Sequence, residues 1–82
     1  MSAERYVEII MQDERGQIVA EKPTVYEDEQ IERVYEFGDG AVVKYEWNDH
    51  SLRQFNHRFT LLTPPKPNPA KLKAGVIRTI EY

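Results

Sequence analysis

The chain of 82 residues contains no cysteine. That one absence removes disulfide staples, thiolate metal ligands and thiol nucleophiles together. Glycine is scarce: Gly16, Gly38, Gly40 and Gly75 are the only four. They stand at apparent turns or strand starts, which excludes a glycine-rich phosphate cradle. No window approaches the roughly 20 apolar residues that cross a bilayer. The apolar stretch nearest the start, Val7 to Met11, is interrupted by Glu8 and is far too short for the core of an export signal. The expectation from these absences is a cytoplasmic protein without membrane contact.

Length sets a second bound. A chain of this size is one domain, 1–82, and it buries only roughly 60–65% of the surface its unfolded form exposes. With no staple available, pairing with another subunit is the natural source of extra buried area, so a homodimer is the prior. The net charge of −3 is unevenly spread. Residues 1–43 carry four basic against eleven acidic side chains, net −7, and residues 44–82 carry seven against three, net +4. Such asymmetry steers encounters with partners when the fold leaves it segregated.

What is present reads mainly as β-structure. Val7, Ile9 and Met11 alternate with Tyr6, Glu8 and Ile10, which predicts a strand. Asp13-Glu14-Arg15-Gly16 then supplies a turn and Ile18-Val19-Ala20 a returning strand, so residues 5–21 are expected to form a hairpin. Pro23 cannot donate to a ladder and marks a strand end or a sheet edge. Between Glu27 and Phe37 helix and strand patterns compete. The Gly38-Asp39-Gly40 turn and the β-branched, aromatic run Ala41 to Trp47 favour a hairpin. A two-residue loop would mix the faces. A three-residue loop with Gly40 left-handed pairs Tyr35 with Val43, Ile31 with Trp47 and Val34 with Lys44. That register gathers Ile31, Tyr35, Phe37, Val43, Tyr45 and Trp47 on one side.

Residues 52–63 fit a helical stripe, and Phe55, His57, Phe59 and Leu61 fit one strand face equally well. The strand is preferred because a short connection after a strand usually returns antiparallel. Pro64, Pro65, Pro67 and Pro69 make the segment 63–74 a Pro-rich connecting loop. Val76 to Ile80 is a final strand whose outer edge is expected to be open. The predicted fold is therefore all-β: an antiparallel meander of five to six strands, forming a curled sheet or half-open barrel.

Chemistry is sparse. Asp49, His50 and Ser51 have the composition of a hydrolase triad, but adjacent residues cannot form its relay of hydrogen bonds, and a polar turn explains them. His50 and His57 are the only histidines, and no spacing supplies carboxylates to complete a metal site. Glu27, Asp28, Glu29, Glu32 and Glu36 read as a solvated acidic face. No catalytic, cofactor or metal-binding residues are assigned, and the chain is not expected to be an enzyme. The expected function is a small protein-interaction module, self-associating or binding another protein. Its candidate partner-binding residues are Trp47, Arg53, Phe55, His57 and Arg58. The alternative is a sheet that stacks single-stranded nucleic acid on Trp47, Phe55 and Phe59 beside Arg53 and Arg58. Against it stands the core's own demand for the same aromatics.

Overall fold

In the computed structural model the described residues are 1–27, 30–48 and 56–81. They form one helix and five strands: α1 (Ala3–Gln12), β1 (Ile18–Glu27), β2 (Gln30–Phe37), β3 (Val42–Asn48), β4 (His57–Thr63) and β5 (Gly75–Ile80). The strands make a single antiparallel sheet in the order β1-β2-β3-β4-β5, an open, curled meander with β1 and β5 at its two margins.

The predicted hairpin over 5–21 does not form. Its first half is α1, and β1 pairs with β2 instead. Ser2 caps the helix, its hydroxyl accepting from the Arg5 amide at 3.3 Å, and Glu4 lies in the first turn where the helix dipole favours a negative charge. At the other end Asp13 takes the left-handed conformation, φ 55°, and the amides of Asp13 and Glu14 donate to Ile10 and Ile9. Tyr6, Ile9 and Ile10, spaced i, i+3, i+4, are the buried stripe. The alternation seen in the sequence was a by-product of that stripe. Val7 is only half-buried and Met11 is exposed, so the supposed strand face is split between core and solvent.

The helix lies on the sheet face formed by Tyr35, Phe37, Val43, Phe59 and Leu61, and these residues with Tyr6, Ile9, Ile10 and Ala41 are the core. Burying each of the large side chains contributes about 1.5–3 kcal/mol. Tyr6 meets Phe37 edge to face at 4.9 Å between ring centres. Its hydroxyl donates to Asp39 Oδ2 at 2.5 Å, tying the helix to the β2–β3 turn.

That turn is the expected three-residue loop. The register places Ile31 opposite Trp47, Val34 opposite Lys44 and Tyr35 opposite Val43, and Gly40 has φ +87°. The opposite face of the sheet is polar. Glu32 and Glu46 face one another across β2 and β3, a like-charge pair. Lys44 Nζ relieves it from 3.4 and 3.7 Å, and the Arg58 fork grips Glu46 at 3.1 Å through two nitrogens.

Pro23 sits inside β1 at the sheet margin, as its missing donor requires. The Pro-rich connection between β4 and β5 is a loop, bent rather than uniformly extended. The Asn68 side chain accepts from the Leu72 amide and donates to its carbonyl, and the Lys66 amide donates to Asp39 O at 3.0 Å. Leu72 packs on the core. The loop is thereby fastened at two points, and it delivers the chain to the start of β5.

Candidate docking edge

The two margins of the sheet differ in a way that follows from their residues. β1 carries Pro23, two register shifts against β2 and the charged residues Glu21 and Lys22. Each of these devices discourages a further strand from pairing there. β5 reads Gly-Val-Ile-Arg-Thr-Ile: no proline, one charge and a single register shift, at Ile77. Its outer margin has no strand partner among the described residues. The Asn56 amide donates to Ile80 O at 3.0 Å, so the Ile80 backbone faces β4. By the alternation of a ladder, the Thr79 N–H and C=O point outward.

Apolar surface flanks this margin on both faces. On the polar face, Val76 is 58% and Leu62 44% exposed, two of the five exposed large apolar side chains among the described residues. On the helix face, a groove of about 200 Å³ runs between α1 and β5, lined by Glu4, Val7, Glu8, Ile77 and Arg78. Val7 and Ile77 are its half-buried apolar part, both packed on the core. Glu8 is held by Arg5 at 2.7 Å, and Arg5 also takes Glu14 at 2.8 Å. Glu4 and Arg78 are exposed and have no ion-pair partner among the described residues.

A second groove, of about 350 Å³, opens beyond the C-terminal end of α1 between Met11, Asp13, Arg15, Arg33, Tyr35 and Tyr45. Its charges are already matched. Arg15 and Arg33 converge on Glu21, the latter at 3.1 Å, and Arg15 also meets Asp13 at 2.7 Å. The hydrogen bond from Arg15 holds the Glu21 carboxyl below the usual carboxylate range, while burial pushes the Tyr35 phenol up. An anion entering here would have to displace a carboxylate already in place.

Of the residues singled out in the sequence, Trp47 and His57 are brought together as register partners on β3 and β4. His57 Nδ1 lies 2.7 Å from the Tyr45 hydroxyl, with the rings stacked at 5.8 Å, and burial lowers its pKa. Arg58 is on the opposite face, with Glu46. Phe59 is fully buried in the core. Arg53 and Phe55 lie outside the described residues, as do Asp28, Glu29, Asp49, His50 and Ser51. Among the described residues no three His, Asp or Glu side chains are grouped to hold a metal ion, and no helix is long and apolar enough to cross a membrane.

Sequence reasoning found the β5 edge but missed its second wall, because that wall is α1. The signal was available in the i, i+3, i+4 spacing of Tyr6, Ile9 and Ile10 behind the capping Ser2. Comparison with protein-family models, curated proteins and solved structures finds no match in any of the three.

Proposed function

We propose that this chain is a non-enzymatic protein-interaction module that receives an extended segment of a partner along β5. The observation that carries the reading is the asymmetry of the margins, one guarded by proline, bulges and charge, the other open and bordered by apolar surface on both faces. Strand addition draws affinity from the outward backbone groups and selectivity from the side chains beside them. Here an incoming strand would hydrogen-bond around Thr79. It would cover Val76 and Leu62 on one face and enter the Val7–Ile77 groove on the other.

The test is a display library of random ten-residue peptides panned against dilute protein. Thr79→Pro and Val76→Lys serve as counter-selections. Proline at 79 removes an outward donor while leaving the neighbouring positions that face β4 intact. The expected result is enriched, β-prone peptides that slow amide hydrogen exchange in β5 and lose at least about tenfold in affinity to both variants. Enriched peptides whose protection maps away from β5, or no enrichment over the two variants, would overturn the reading.

A further inference from the structure

We infer that the occupant of the β5 edge is a second copy of this chain, joined antiparallel about a two-fold axis beside β5; this rests on the strand-addition reading above. A two-fold interface uses the same patch twice, so the patch must be complementary to itself. The β5 margin meets that condition in both charge and polarity. It presents a cation, Arg78, on the strand and an acid, Glu4, on the helix, neither in an ion pair among the described residues, with the apolar pair Val7 and Ile77 in the same groove.

The axis that makes two edge strands antiparallel stands perpendicular to the sheet. It therefore keeps both helices on one face of the joined sheet, with their grooves side by side. The Arg78 side chain, on the helix face opposite Phe59, then extends over the neighbouring strand toward the other copy's α1. There the other copy's Glu4 offers Arg78 an ion pair, which it makes with no described residue of its own chain. Strands in a sheet lie about 4.8 Å apart, so the Arg78 side chain comes to stand beside the neighbouring copy's groove. A partner of one charge sign would leave either Glu4 or Arg78 unmatched, whereas a second copy satisfies both at once. The exposed Val76 of each copy is covered in the same event on the other face.

The experiment measures molecular mass by sedimentation equilibrium from low micromolar to millimolar concentration. The chains compared are wild type, Arg78→Glu, Glu4→Lys, the double variant and Thr79→Pro. All three substituted side chains are on exposed residues, and circular dichroism checks that the fold is kept. The expected result is a monomer–dimer equilibrium weakened about tenfold or more by each single reversal, through like-charge contact. The double reversal restores it to within about threefold of wild type, because every cross-interface pair regains opposite signs. A wild-type monomer throughout overturns the inference. If the panned peptides still bind at β5 in that case, strand addition stands and only the identity of the occupant is wrong. A dimer indifferent to both reversals and to Thr79→Pro also overturns it, by placing the contact elsewhere.

Discussion

Replacing Tyr6 by phenylalanine isolates one hydrogen bond on which the helix's position depends. The ring is fully buried and keeps its edge-to-face contact with Phe37, so only the hydroxyl is lost. That hydroxyl donates to Asp39 Oδ2 at 2.5 Å, while Asp39 Oδ1 accepts from the Ala41 amide at 3.0 Å. A hydrogen bond to a charged acceptor contributes about 1.5–3 kcal/mol. Asp39 is half-buried and water can partly replace the donor, which places Tyr6→Phe near the lower end, about 1.5–2 kcal/mol. For a domain of this size that lowers the melting midpoint by roughly 6–16 °C. The assay is urea unfolding at pH 7 of wild type, Tyr6→Phe, Asp39→Ala and the pair. A coupling of about 1–2 kcal/mol is expected from the cycle. Were residues 5–11 a strand of the hairpin that their alternation suggests, Tyr6 and Asp39 would not meet and the coupling would vanish. A value below about 0.3 kcal/mol would refute the packing described here. The same contact has a pH signature. Burial, and then Asp39, raise the Tyr6 phenol above the ordinary tyrosine range. The unfolded chain therefore releases this proton first as pH rises past about 10. Stability falls there in the wild type, and that part of the fall is missing in Tyr6→Phe.

Two further perturbations test the local geometry. In the β2–β3 turn, Gly40→Ala places a side chain at φ +87° and costs about 1–2 kcal/mol, although the nearest atom to the new Cβ is 3.9 Å away. Gly38→Ala, with similar room and no positive φ, stabilises by up to about 1 kcal/mol, so urea midpoints of the two variants should move in opposite directions. His57 has its folded pKa lowered by burial, so the unfolded state takes up the proton first. Stability then falls as pH drops through about 6.5 toward the folded value. Urea midpoints between pH 7.5 and 5.5 should fall less in His57→Gln than in wild type; equal slopes would show that His57 is not shielded.

The sheet was legible where two constraints coincided. Between Ile31 and Trp47 the buried face and the glycine at position 40 allow only one register, and the structure has it. Phe59 and Leu61 were placed by alternation, and the edge position of Pro23 by its missing donor. The first segment was misread because Tyr6 to Met11 satisfies period two and period 3.6 at once. Only the caps at Ser2 and Asp13, and the core's need for cover over Phe37 and Phe59, separate the two readings. The candidate docking edge was half legible. The open strand follows from Val76–Ile80, but the groove beside it depends on Glu4, Val7 and Glu8 being helical. Trp47 and Arg58 looked like one platform because a linear sequence does not show parity across a hairpin; His57 opposes Trp47, and Arg58 therefore points the other way.

The seal on β1 has a consequence for how large an assembly can grow. A sheet that is adhesive on both borders lengthens without limit, and every addition recreates the border that was consumed. In the proposed pairing, joining two copies at β5 would use both open borders and leave Pro23 and its flanking bulges at each extremity of a ten-stranded sheet. Growth would terminate after that single step. Pro23, exposed and outside the core, would thus be the residue that limits the proposed assembly to two copies.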